Sequence, residues 1–229
     1  MSLKTQIAVN LDFYEDLFGL PPKLPPKRLM VRPQSKRDLS NALKYFVQML
    51  YCKNTKTPFV PIATYIRMSY LNDDQMGSIL AWLKLANSDY EDMTLVRWPN
   101  NCIMLGKFED YLNGYALDLN PATPTEITEL VEMVKILPML EFYRHRVIFT
   151  PTFGASSLQV GGANAHFVSD DKLILISMSK KMQLDKPTYY EILSLYDLYK
   201  ESGIDGFSGE INKLGVYFPR FGYMYDMDV

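Results

Sequence analysis

Cysteine and histidine are scarce. Only Cys52 and Cys102 occur in 229 residues, and neither belongs to a Cys-x-x-Cys or Cys/His ligand pattern, so no structural zinc, no other metal and no cofactor is expected. The two histidines, His145 and His166, are the only side chains that titrate near neutrality without help, which confines any histidine base to those positions. Long apolar runs are missing too. Leu173 to Ile176 is among the longest, whereas a membrane-spanning helix needs about 20 residues. Asp12, Glu15 and Asp16 follow closely on Ile7 to Val9, leaving no room for the apolar core of a signal peptide. With no transmembrane segment expected, these absences predict a cytoplasmic protein, or one of host cytoplasm or virion if viral. No Gly/Ser linker, low-complexity tract or internal repeat divides the chain, and 48% hydrophobic residues are enough to bury a substantial core.

What is present is charge, unevenly placed. Residues 20 to 56 carry nine Lys or Arg against one acid, Asp38, in a chain whose formal net charge is −2. The acidic excess therefore lies elsewhere, most of it in 61 to 142. A localised positive field attracts polyanions or an acidic protein surface and says little about catalysis. A basic end and an acidic middle also permit head-to-tail association between copies, or mutual neutralisation inside one subunit.

Thr5 to Leu11 reads as a short strand and Asp12 to Phe18 as one or two helical turns. The following Leu20 to Arg28 contains four prolines, which fix φ, remove amide donors and favour an extended path. Residues 1–37 are thus read as an extended basic arm ahead of a single globular domain, 38–229, with a subdivision near 92–120 left open. Pro22 to Lys27 also fits the P-x-apolar-P-x-basic pattern of SH3 ligands, a pattern common by chance, so no SH3-type partner is assigned.

Beyond the arm, Leu39, Ala42, Leu43, Phe46, Val47 and Leu50 recur at helical spacing, with Ser35 as the expected cap. Further helices are expected from Pro61 to about Tyr70 and after Asn72. Thr94 to Trp98 and Cys102 to Leu105 read as two strands around Pro99-Asn100-Asn101, and Tyr115 to Leu119 as another. Thr123, Pro124 and Glu126 form a capping-box start, and Asp185, Pro187 and Gly203 bracket one more helix. Val147 to Thr150, Leu158 to Val160, Ala163 to Val168 and Lys172 to Met178 read as sheet, turned at Gly161-Gly162 and Asp170-Asp171. Leu214 to Val229 has strand chemistry broken by Pro219 and Gly222. The fold class expected is α+β, a helical N-terminal part with a mainly antiparallel sheet in the C-terminal half.

The candidate polyanion contacts are Lys23, Lys27, Arg28, Arg32, Lys36, Arg37 and Lys44, with Arg144 and Arg146 around His145 as a second basic patch. Tyr217, Phe218, Arg220, Phe221, Tyr223 and Tyr225 crowd one segment as a candidate interface, although alternating aromatics on a terminal strand equally suit a packed sheet face. Gly161 to His166, preceded by Ser156 and Ser157, invites a nucleophile-and-base reading. Strand-like residues follow this loop where a helix N-terminus should, and no G-x-S-x-G or Walker pattern is present. The carboxylate pairs Asp73-Asp74, Glu91-Asp92, Glu109-Asp110 and Asp170-Asp171 lack calcium-loop spacing and read as caps and turns.

The function expected is that of a non-enzymatic interaction protein, a homo-oligomer that contacts nucleic acid or an acidic partner through its basic N-terminal segment. Viral or phage structural proteins offer an analogy of charge layout. Two rivals remain. One is a protein-binding regulator, such as an immunity or inhibitor protein, working through acidic residues 61–142. The other is an enzyme using His166 with Ser156, or His145.

Overall fold

A computed structural model describes residues 2–57, 59, 97–112, 116, 118–138 and 146–229. The chain is α+β, and it divides into two compact units. A sheet unit comprises Met1–Met30 with Pro138–Val229, and a helical unit comprises Val31–Leu137. The helices expected after Pro61 and Asn72 lie outside the described residues, as do Arg144 and His145.

In the helical unit, α3 (Ser40–Thr55) packs chiefly on α4 (Arg97–Leu112), and α5 (Pro124–Lys135) contacts both. Leu39, Ala42, Leu43, Phe46 and Val47 are buried, as expected from their spacing, whereas Leu50 is half-buried and Met49 is enclosed in its place. Phe46 meets Trp98 edge-on at 5.8 Å, and the buried Cys102 thiol lies 3.4 Å from Met49 Sδ. α5 begins with the full capping box, in which the Thr123 hydroxyl accepts from the Glu126 amide at 3.2 Å and the Glu126 carboxylate accepts from the Thr123 amide at 2.7 Å.

Two expectations fail here. α3 starts at Ser40, not near Ser35, and the Asp38 carboxylate accepts the Ser40 amide at 2.8 Å. α4 takes in Trp98, the Pro99-Asn100-Asn101 turn and Cys102 to Leu105, expected as two strands and their turn, while Thr94 to Val96 lie outside the described residues. Pro99 falls in the first turn, where an amide is not needed, and the apolar run suits a buried helix as well as a buried strand.

Helices α3 and α4 approach closely at Gly106, where an added Cβ would stand 2.9 Å from the Ala42 backbone nitrogen. Gly106→Ala gains up to about 1 kcal/mol of helix propensity but overpacks backbone, at about 1–3 kcal/mol. We expect a net loss of stability in urea unfolding; a higher midpoint would show that the pair separates freely.

The sheet unit holds strands β1 (Val147–Phe149), β2 (Phe167–Ser169), β3 (Lys172–Ile176), β4 (Lys213–Phe218) and β5 (Tyr223–Asp228), paired in chain order. All pairs are antiparallel except β3 with β4. That parallel pair requires a crossover. It is supplied by α7 (Lys186–Ser202), which starts with the Asp185 carboxylate accepting the Thr188 amide and stops at Gly203 with φ 71°. α7 packs on β3 and β4, and α1 (Leu3–Val9), α2 (Leu11–Phe18) and α6 (Gly154–Gln159) pack on α7.

The sheet is therefore mixed. Thr5 to Leu11 is not a strand: Leu3 and Ile7, four residues apart, are buried in the sheet unit's core as one helical face. Leu158 to Val160 is likewise not a strand, and Gly161 and Gly162 do not turn a hairpin. They follow α6 with φ 70° and 103°, conformations that favour glycine. Asp170-Asp171 does turn the β2–β3 hairpin, with Asp170 at φ 51°. Among the described residues no helix is long and apolar enough to cross a membrane.

Candidate functional site

The basic segment divides by what its charges meet. Arg37 and Lys44 are committed internally. Arg37 reaches Asp110 at 3.2 Å and Glu126 at 3.3 Å, and also pairs with Asp118. Lys44, 1% exposed on α3, is held by both oxygens of the buried Glu109 on α4. Around them, Asn41 donates to Asp110 at 2.9 Å, and the buried Lys107 donates to the Asn120 carbonyl at 2.7 Å while pairing with Asp118 at 3.0 Å. The Glu129 carboxylate, fully buried, accepts the amides of Gln34 and Ser35 at 2.7 Å each. Each buried ion thus has hydrogen-bonding company, which is what makes burial tolerable.

Burial is the largest influence on both aspartates of this network. It holds the Asp110 carboxyl above its usual range despite Asn41 and Arg37. For Asp118 it is outweighed by the bonds from Lys107 and Asn120, and the carboxyl sits below its usual range. A lowered folded pKa gives stability that is present above the ordinary value of about 3.9 and lost as pH falls through the folded value. Asp110 acts in the opposite sense, and its share is lost as pH rises through its raised folded value. Asp118→Asn is therefore expected to flatten the fall of the urea midpoint below about pH 4. An unchanged acid profile would contradict this.

The other seven cations of the segment are exposed; two of them, Lys53 and Lys56, stand at the C-terminal end of α3, where Lys53 Nζ lies 5.8 Å from the centre of the Trp98 ring. Lys23, Lys27 and Arg28 in the sheet unit, and Arg32 and Lys36 in the helical unit, stand in solvent along one continuous stretch of chain. No acid occurs between Asp16 and Asp38. Lys27 Nζ lies 4.7 Å from the centre of the Tyr223 ring, and the Met30 amide donates to the Arg220 carbonyl at 2.9 Å, so the part of the stretch up to Met30 is held against the sheet unit. Leu24 and Leu29 pack on the core there. Arg146, also exposed, donates to the Gly206 carbonyl at 3.1 Å.

The aromatic segment is mostly interior. Tyr217, Phe218, Arg220 and Phe221 are buried, while Tyr223 and Tyr225 are half-buried against the core. Burial pushes the Tyr217 phenol well up, and Arg220 donates to the Met178 carbonyl.

His166 is buried with Nδ1 accepting the Ile176 amide at 3.1 Å, so it secures the end of β3. The Ser157 hydroxyl accepts the Phe153 amide and donates to the Ala163 carbonyl, and Ser156 pairs with Ser202; neither serine bonds His166. An open groove of about 600 Å³ is lined by Tyr196, Tyr199, Lys200, Phe207, Glu210 and Asn212 among others, and these three residues are not part of its wall.

One further feature gave no signal in the sequence. Val9, Phe13, Leu17 and Leu20 are each 58–66% exposed, although Leu11, Tyr14 and Phe18 of the same region pack inward. Both faces of α2 are apolar, so periodicity alone does not say which is buried. No protein-family model, curated protein or solved structure matches the chain.

Proposed function

We propose that this protein is a non-enzymatic interaction protein that self-associates and contacts a polyanion, with nucleic acid as the favoured class, through its basic N-terminal segment. The observation that carries the reading is the set of five exposed cations, Lys23, Lys27, Arg28, Arg32 and Lys36, on a stretch free of acids. Arg37 and Lys44 have carboxylate partners in their own unit and serve to hold the helices; they are not needed in the contact. A stretch outside helix and strand that carries five cations in fourteen residues suits a phosphate chain, whose contacts position without reading sequence. Arg146 would add a further phosphate contact. The interior hydrogen bonds of His166, Ser156 and Ser157 give the enzymatic reading no support.

A nuclease-treated sample titrated against a fluorescein-labelled DNA duplex of mixed sequence tests this. The expected result is binding at 50 mM salt (about a 10 Å or longer screening length) that is insensitive to base sequence. No anisotropy change at that salt would overturn the reading.

A further inference from the structure

Helix α2 sorts its side chains by direction. Tyr14 and Phe18, four residues apart, face inward and stack against Tyr190 at 6.1 and 6.4 Å between ring centres. Glu15 pairs with Lys186 on α7. Phe13 and Leu17, also four apart, share the outer face and are 63% and 58% exposed. Asp12 and Asp16, beside them on the helix, are exposed. Val9 ends α1 and Leu20 follows α2, at 63% and 66% exposure. Of the large exposed apolar side chains among the described residues, this one short stretch carries four. Single exposed apolar residues need no explanation, but a cluster rimmed by charge marks an interaction surface.

The same unit also carries the complement of that surface. Lys23, Lys27 and Arg28 are exposed, and Met30 ends the row at 59% exposure. The basic row does not fold back on its own α2, because Leu24 and Leu29 and the Met30 amide anchor it to its own core.

We propose that the acid-rimmed stripe of α2 is the docking surface for the basic arm of a second copy of this chain. Asp12 and Asp16 of one copy lie against the basic row from Lys23 to Arg28 of the other, and Phe13 and Leu17 are covered by the apolar parts of the arm. The proposal rests on the self-association reading and supplies its contact. Opposite charges set the register and the choice of partner, while apolar burial supplies most of the affinity.

Charge exchange tests it on nuclease-treated protein by light scattering and sedimentation. Asp12→Lys with Asp16→Lys makes both surfaces basic, and Lys23→Glu with Arg28→Glu makes both acidic; all four residues are exposed. Each double variant alone is expected to lose association at least tenfold, and an equimolar mixture of the two to regain it. Phe13→Ser with Leu17→Ser is expected to lose it in every mixture. Association that survives all these changes would overturn the docking surface while leaving self-association intact. A native protein that stays monomeric at every concentration would overturn both, and so would a monomer that instead sediments with phosphatidylserine vesicles through Phe13 and Leu17. Lys23 and Arg28 serve both contacts, so association is measured without nucleic acid and duplex binding on protein dilute enough to be monomeric.

Discussion

Replacing Lys44 with alanine is expected to cost about 3–5 kcal/mol of unfolding free energy, because it leaves Glu109 charged and buried without its partner. Both side chains are almost fully enclosed, at 1% and 5% exposure. The pair joins α3 to α4, the main helix contact of the helical unit, so the loss falls on the packing that defines it. The ion pair is not itself the source of that stability. Taking two charges out of water consumes most of what their attraction returns, and an apolar pair of similar volume is often as good. Lys44→Met with Glu109→Leu should therefore recover most of the loss seen in Lys44→Ala. Chemical denaturation of the three variants decides the matter. A single variant as stable as the native chain, or a double variant no better than the single, would contradict this account of the pair.

The second large effect concerns the exposed cations. Changing Lys23, Lys27, Arg28, Arg32 and Lys36 together to alanine removes five charges while leaving Arg37 and Lys44 at work inside the helical unit. Fivefold replacement is expected to abolish duplex binding at 50 mM salt, where counterion release dominates affinity. Stability should change little, since these side chains stand in solvent and surface substitutions mostly fall within about 0.5 kcal/mol. Arg37→Ala is the informative contrast. It should destabilise the helical unit, because Asp110, Asp118 and Glu126 lose a shared cation, and it should leave duplex binding by the folded protein nearly unchanged. A basic segment that acted as one electrostatic patch would give the reverse.

Local chemistry was legible in the sequence, and distant partners were not. α5 and α7 announce themselves through Thr123 with Glu126 and through Asp185 with Gly203, groups that satisfy helix ends within a few residues. α4 was hidden because Pro99 and Asn100-Asn101 look like a turn and the apolar residues after them have no helical period of their own. α1 was hidden because its helical state is fixed by burial of Leu3 and Ile7, not by propensity. The parallel β3–β4 pair depends on where α7 sets the chain down, which no residue near either strand encodes. The candidate site follows the same rule. Nine cations in a row of sequence look equivalent, yet Lys44 finds Glu109 65 residues away and Arg37 finds Asp110 73 residues away. Only the fold separates charges already neutralised from charges left for a partner.

The salt dependence of duplex binding tests that separation most directly. Neutralising roughly five phosphates predicts a slope of about −4.5 in a plot of log association constant against log salt, or about a 500-fold loss between 50 and 200 mM. The account predicts this slope for the native protein and for Arg37→Ala, with no measurable binding by the fivefold alanine variant. Equal slopes in the native and fivefold variants, or native binding indifferent to salt, would contradict it.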